Sequence, residues 1–102
     1  MSNTKTTPIT SELSPLTNYQ LCCAVFIHAY QAANDNIPSF LEVAHAFGVH
    51  SNTSYETVHR MIKCGVFERA ENHNQYRFAR TPAGAAYRAQ IVAKYVEQGG
   101  KA

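Results

Sequence analysis

The sequence predicts a mainly α-helical fold with one small β-hairpin, and three observations lead to this prediction. Two segments in the first half begin with helix-capping pairs and repeat apolar residues every three or four positions. After Gly65 the spacing of apolar residues changes towards two, which is typical of strands. The pair Thr81-Pro82 then opens a last segment with helical spacing.

Length and composition predict a single globular domain. The chain has 102 residues, of which 45% are apolar, and this suits one domain with a hydrophobic core. Residues 1–15 are rich in Ser, Thr and Pro and are predicted to form a disordered or loosely ordered tail. Residues 16–98 are predicted to form the domain, with its C-terminal helix at about 81–98.

The first two helices are predicted from their ends. Thr17 and Gln20 form a capping box before a helix that ends near 34–36. Ser39 and Glu42 form a second capping box, and Gly48 is the predicted C-cap of that short helix. The apolar positions of the first helix are Tyr19, Cys23, Phe26, Ile27 and Tyr30.

A tight turn after Gly48 leads to a third helix, predicted at 51–64 and ended by Gly65. The side chains expected to face the core are Ser54, Val58, Met61 and Ile62. The opposite face is polar. The change of period then predicts a hairpin, with strands at 66–70 and 75–80 joined by a polar turn at 71–74.

This order of elements is that of a winged helix-turn-helix: a three-helix core, a hairpin wing and a C-terminal helix. In such a unit, the second helix of the helix-turn-helix enters the major groove of DNA and its N-terminal residues face the base edges. The third predicted helix, which begins near Ser51, holds that place in this chain.

Short motifs also resemble known regulators of transcription. The first two helices resemble the DNA-binding domain of LexA-type repressors through Leu16-Thr17-x-x-Gln20, Ile37-Pro38-Ser39 and Glu42-Val43-Ala44-x-x-Phe47-Gly48-Val49. The start of the hairpin, Gly65-Val66-Phe67-Glu68-Arg69, resembles the entry to the wing in many winged-helix regulators. The segment Thr81-Pro82-x-Gly84 resembles the one that follows the wing in MarR-like and PadR-like proteins. The resemblance implies a winged helix-turn-helix DNA-binding domain.

The expected function is that of a sequence-specific transcriptional repressor that binds double-stranded DNA as a homodimer, with helix 51–64 in the major groove. Asn52 can make a bidentate contact with adenine, and the methyl group of Thr53 can touch that of thymine. The residues expected to contact bases or phosphates are Ser51, Asn52, Thr53, Tyr55, Glu56, His59, Arg60, Lys63, Arg69, His73 and Arg77.

The charge distribution favours an anionic partner for the C-terminal half. Residues 1–58 carry one Lys against four carboxylates, whereas residues 59–102 carry eight Lys and Arg against three carboxylates. For Arg60 and Lys63, plain solvation is an equally good interpretation. The stripe Tyr87, Ile91 and Tyr95 on the last helix is expected to form the dimer interface, although such a stripe more often belongs to a core.

The sequence is also compatible with a second function, that of a winged-helix module that binds a protein. Glu68 and Glu71 beside the predicted wing would repel a phosphate backbone, and the net charge is only +2. Small proteins of phages or mobile elements use such modules, for example to inhibit a host defence complex in the manner of an anti-CRISPR protein.

The sequence contains little that indicates any other class of function. No nucleophile elbow, phosphate-binding loop or paired acidic motif is present, so we expect no enzyme and no cofactor. The five His and three Cys show no metal-ligand spacing, and we expect no metal site. With an odd number of Cys, no signal peptide and no long apolar run, we expect a cytoplasmic protein with free thiols and no membrane contact.

Overall fold

The computed structural model describes residues 13–70 and 75–100. Within these ranges the structure has four helices and one two-stranded antiparallel sheet. In chain order, the elements are α1 (Asn18–Asn34), α2 (Phe40–Phe47), α3 (Ser51–Cys64), β1 (Phe67–Arg69), β2 (Tyr76–Phe78) and α4 (Pro82–Glu97). The prediction of a mainly helical fold with one small hairpin is therefore confirmed.

Both predicted capping boxes are formed. Thr17 Oγ1 accepts from the backbone N–H of Gln20 at 3.0 Å, and Gln20 Oε1 accepts from the backbone N–H of Thr17 at 3.0 Å. Ser39 and Glu42 make the same reciprocal pair at 3.1 and 2.7 Å. Because these bonds satisfy N–H groups that have no partner inside a helix, they fix where α1 and α2 begin.

The hairpin joins α3 to the core. Phe67 pairs with Phe78, Glu68 with Arg77, and Arg69 with Tyr76. The strands are three residues long, shorter than predicted, because the amide of Val66 is already bonded to the Met61 carbonyl at the end of α3. Bonds from Ala79 N to Val66 O and from Ala70 N to Gln75 O continue the pairing at both ends. The predicted turn at 71–74 lies outside the described residues.

The core is built around α1, which is buried over a wide arc. Cys23, Ala24 and Ile27 are completely buried and Val25 nearly so. Helix α4 packs along α1, while α2 packs against α3. The other buried hydrophobic side chains come from every remaining element: Val43, Ala44, Val58, Met61, Val66, Phe67, Tyr76, Phe78, Tyr87 and Ile91. In the described residues, no helix is both long and apolar enough to cross a membrane.

The stripe on α4 is part of this core, which corrects its expected role as a dimer interface. Tyr87 is 1% exposed and Ile91 is 0% exposed. The half-buried Tyr95 places its ring edge-on to His28 of α1, with ring centroids 4.9 Å apart. Tyr87 and Ile91 are thus buried inside the single chain, on the helix that packs along α1.

Residues ahead of the predicted start of the domain contact the core. Leu13 and Leu16 pack against the core, and the hydroxyl of Tyr87 donates to the backbone carbonyl of Ser14 at 2.6 Å. Leu13 and Ser14 are therefore in contact with the folded domain, although the tail was predicted to extend to residue 15. The remainder of the predicted tail, residues 1–12, lies outside the described residues.

Candidate nucleic-acid interface

Helix α3 lies on the surface with one buried and one exposed side. Its buried residues are Ser54, Thr57, Val58 and Met61. Thr57 replaces the expected Ile62, which is half-buried. The Thr57 hydroxyl donates to the Thr53 carbonyl at 2.8 Å, so a polar side chain is satisfied within the helix and can face inward.

Ser54 fastens the start of α3 to α2. Its side chain is fully buried, and its hydroxyl lies 2.6 Å from the Phe40 carbonyl and 2.9 Å from the Ser51 carbonyl. A hydroxyl has one hydrogen, which these two acceptors share. The contact joins the first turn of α3 to the first residue of α2, and it fixes how the exposed side of α3 is presented.

The turn between α2 and α3 is set by Gly48 and His50. Gly48 adopts φ +65°, and its amide and that of Val49 bond back to carbonyls of the last turn of α2. His50 is the N-cap of α3, and its Nδ1 accepts from the backbone N–H of Asn52 at 3.1 Å. The sequence predicted the glycine but not the histidine cap.

We call the outward side chains of this helix the α3 face. Six of the residues predicted to contact DNA are on it and exposed: Asn52, Thr53, Tyr55, Glu56, Arg60 and Lys63. The half-buried His59 belongs to the same face, and the half-buried Ser51 stands at its beginning. The face therefore has a polar, uncharged start and carries Arg60 and Lys63 towards its end.

Aromatic rings border the α3 face on the side of the hairpin. The rings of Tyr55 and His59 lie 3.9 Å apart between centroids, and Phe40 meets Tyr55 edge-on at 5.2 Å. Phe40 also stacks on Tyr76 of β2 at 5.6 Å. Sequence reasoning did not include Phe40 or Tyr76 in the site. Nothing in the spacing of Phe40 along α2 shows that it reaches β2.

His59 joins the α3 face to the hairpin. Its Nδ1 lies 2.9 Å from the Tyr55 carbonyl and its Nε2 lies 3.1 Å from Nη2 of Arg69. A carbonyl can only accept and a guanidinium can only donate. His59 is therefore a neutral imidazole with its hydrogen on Nδ1, and Nε2 accepts from Arg69.

The other predicted hairpin cation, Arg77, lies on the opposite side of the sheet. Residues paired across the strands share a side, so Arg77 faces the same way as Glu68, whereas Arg69 faces the same way as the buried Tyr76. Arg77 Nε donates to Glu68 Oε2 at 2.6 Å. Arg77, which was expected to contact DNA together with the α3 face, therefore lies on the other side of the hairpin from Arg69.

Glu68 binds a second cation as well. Arg80 Nε donates to Glu68 Oε2 at 2.9 Å, and the Arg80 backbone amide donates to Oε1 at 3.3 Å. The hydrogen bond from Arg77, followed by those from Arg80, lowers the pKa of Glu68. Of the two carboxylates that the sequence suggested would repel a phosphate backbone, Glu68 is thus paired with two guanidinium groups, and Glu71 lies outside the described residues.

A shallow groove borders the α3 face on its other side. It lies between the first turn of α1 and α3, and it is lined by Thr17, Tyr19, Gln20, Thr53, Glu56, Thr57 and Arg60. Thr17 and Gln20 were predicted only as capping residues. Their position beside Arg60 depends on how α1 packs, which the spacing within α1 does not reveal.

One predicted contact residue and the cysteines remain to be placed. His73 lies outside the described residues. Within residues 13–70 and 75–100, no three His, Cys, Asp or Glu side chains come together as metal ligands do. Cys22, Cys23 and Cys64 are free thiols, and burial raises the pKa of Cys23 to about 11. A thiol with so high a pKa is a poor nucleophile at neutral pH.

Comparisons of the chain with family models, with curated proteins and with solved structures find no match. The function is therefore inferred from the geometry and charge of the surface itself. Its best-defined part is the α3 face with the aromatic border and Arg69.

Proposed function

We propose that this protein is a winged helix-turn-helix regulator of transcription, a repressor, that binds double-stranded DNA by placing α3 in the major groove. In this proposal, α2 and α3 form the helix-turn-helix and the hairpin is the wing. The observation that carries it is the α3 face, which is exposed along the whole helix. Its start is polar, and the cations Arg60, Lys63 and Arg69 accompany it.

The dimensions of α3 support this proposal. Fourteen residues form a rod about 21 Å long. The major groove is about 12 Å wide and admits an α-helix. In the common docking geometry, the N-terminal residues of the helix face the base edges. Asn52 and Thr53 are exposed at that end, where an amide can bind adenine and a methyl group can touch thymine.

One of the two carboxylates that counted against DNA in the sequence is paired in the structure. Glu68 is neutralised by Arg77 and Arg80, so the hairpin presents no unpaired carboxylate at that position. The carboxylate on the α3 face is Glu56, and a carboxylate in the major groove can accept from the amino group of cytosine. Arg60, Lys63 and Arg69 then supply contacts to phosphates.

Binding to a labelled random-sequence duplex, followed by fluorescence anisotropy as salt is raised, tests the proposal. We expect a Kd tighter than about 10⁻⁴ M at low salt and steady weakening as salt increases. Lys63→Ala should lower the slope of log K against log salt by about one, because one phosphate contact is lost. Lys94→Ala is the matched control, since Lys94 is on α4 and pairs with Glu97.

Sequence specificity is tested by selecting bound sites from a random duplex pool. On the selected site, Asn52→Ala should weaken binding by about 1–3 kcal/mol while binding to random sequence changes little. The same complexes report stoichiometry, and two copies on a palindromic site are expected for a homodimer. With Tyr87 and Ile91 buried, such a dimer must use another surface.

One observation favours a protein partner as the second candidate. Leu41, which precedes α3 on α2, is 56% exposed, and Tyr55 is 45% exposed. Exposed large apolar and aromatic side chains are typical anchors of protein interfaces. If the protein fails to bind any duplex at low salt, the DNA-binding proposal is wrong and this second function takes its place.

A further inference from the structure

We infer that His59 is a positioning residue that holds Arg69 beside the α3 face, where its guanidinium binds a phosphate of the DNA that α3 contacts. The inference rests on the proposed function and deepens it. The sequence treats His59 and Arg69 as two separate contacts with DNA, whereas the structure joins them by a hydrogen bond of 3.1 Å.

Arg69 keeps its positive charge while it is bonded to His59. Its partner His59 is a neutral imidazole, because Nδ1 carries the hydrogen that the Tyr55 carbonyl accepts. A neutral acceptor orients a guanidinium without cancelling its positive charge. One of the five N–H donors of Arg69 is used by this bond, which leaves the others for a phosphate.

Arg69 differs in its partner from the cations on the other side of the hairpin. Arg77 and Arg80 both donate to the Glu68 carboxylate, at 2.6 and 2.9 Å. A phosphate must compete with that carboxylate for either of them. Arg69, Arg77 and Arg80 are the described arginines of the hairpin and of the segment that follows it. Of these three, Arg69 is held by an uncharged side chain and turned towards α3.

His59 is itself held in place by two aromatic rings and by the backbone of α3. Its ring contacts the ring of Tyr55 at 3.9 Å and that of Phe40 at 6.2 Å, and its Nδ1 is bonded to the backbone of α3. An arginine loses much side-chain freedom when it binds a phosphate. A fixed acceptor that already restricts Arg69 reduces this cost at the moment of binding.

Two substitutions test the inference. Arg69→Ala should weaken duplex binding about tenfold at moderate salt and lower the salt slope by about one. His59→Phe keeps a ring against Tyr55 but removes Nε2, and it should lower the slope in the same way. A purely structural role for His59 would not change the slope, because a neutral side chain makes no phosphate contact of its own.

A double variant and a charge control complete the design. His59→Phe combined with Arg69→Ala should bind about as tightly as Arg69→Ala alone, because both changes remove the same contact. Arg80→Ala removes an equal charge from the far side of the hairpin and should leave the slope unchanged. Partial recovery in His59→Gln, whose amide oxygen can accept from Arg69, is also expected.

A measurement without DNA checks the geometry itself. Ring ¹⁵N shifts of His59 should report a hydrogen on Nδ1, and Arg69→Ala should change the Nε2 signal while circular dichroism remains that of a folded protein. If the wild-type protein binds DNA but His59→Phe leaves the salt slope intact, this inference is wrong and the proposed function stands. If the wild-type protein binds no duplex, both are overturned.

Discussion

At the scale of single residues, Glu68 shows how pairing changes the meaning of a charge. In the sequence it is an acidic residue beside a proposed DNA-binding hairpin. In the structure, its carboxylate is shared by Arg77 and Arg80, and this pairing lowers its pKa. A carboxylate with a lowered pKa stabilises the fold above its ordinary pKa, and the stabilisation is lost as the pH falls through the lowered value.

Gly84 provides a prediction in which two residue-scale effects oppose each other. In the first turn of a helix, Gly→Ala would ordinarily stabilise by up to about 1 kcal/mol. A Cβ on Gly84 would, however, clash with the carbonyl oxygen of Ala79, a backbone atom that cannot move aside alone. We expect Gly84→Ala to lower the free energy of unfolding by about 1–3 kcal/mol in a urea titration.

Gly48→Ala is the control for this prediction. Gly48 has φ +65° but no atom within 4 Å of the position of a Cβ, so only backbone strain of about 1 kcal/mol is expected. A Gly84→Ala variant that is as stable as the wild type would mean that α4 can shift away from Ala79.

At the scale of elements, the start of α3 depends on an uncommon cap. His50 accepts from Asn52 N–H, where Ser, Thr, Asp or Asn is usual. We expect His50→Ala to lower the free energy of unfolding by about 1 kcal/mol, because a backbone N–H at the first turn loses its partner. His50→Ser restores an acceptor and should be at least as stable as the wild type in the same urea titration.

The duplex-binding experiment separates this cap from the DNA contacts. His50→Asp should also be stable, since a carboxylate suits the positive end of a helix. It should nevertheless weaken DNA binding, because it places a negative charge where phosphates approach. Equal stability of His50→Ala and wild type would show that α3 is fixed by the Ser54 contact with α2 and not by its cap.

The sequence predicted the helices better than the strands, for a physical reason. The starts of α1 and α2 are set by side chains three residues apart, and Gly48 and Gly65 end α2 and α3, so local patterns suffice. The ends of the strands depend on which backbone N–H groups are already hydrogen-bonded to another element. The sequence pattern makes Val66 a strand residue, yet its amide donates to the Met61 carbonyl at the end of α3.

At the scale of the whole molecule, Tyr87 fastens the start of the described chain to α4. Its hydroxyl donates to the Ser14 carbonyl at 2.6 Å, and desolvation by burial raises its pKa. We expect Tyr87→Phe to lower the free energy of unfolding by about 0.5–1.5 kcal/mol. Limited proteolysis should then cut the segment before Thr17 faster than in the wild type, because that segment has lost its bond to α4.

Tyr95→Phe serves as the comparison, since Tyr95 is on the same side of α4 and contributes a ring contact to His28. It should leave cleavage before Thr17 unchanged. Faster cleavage in both variants would mean that α4 as a whole has loosened, and that the Ser14 bond has no separate role.

The candidate site was predictable on α3 and not beyond it. The helical period alone places Asn52, Glu56 and Lys63 outward, as the structure does. The separation of Arg69 from Arg77 follows from strand register, which the polar residues of a turn do not determine. The stripe on α4 was assigned to a dimer because a helical period marks an apolar side without indicating what covers it.

The division of α3 into two sides has a consequence for how this protein can change. Ser54, Val58 and Met61 are tied to the core, while Asn52, Glu56 and Lys63 are outside it. Asn52, Glu56 and Lys63 can therefore be exchanged without a cost in core packing, and the residues on the inner side cannot. The same scaffold can thus be given a new set of contacts, by evolution or by a library of variants, while its fold is left intact.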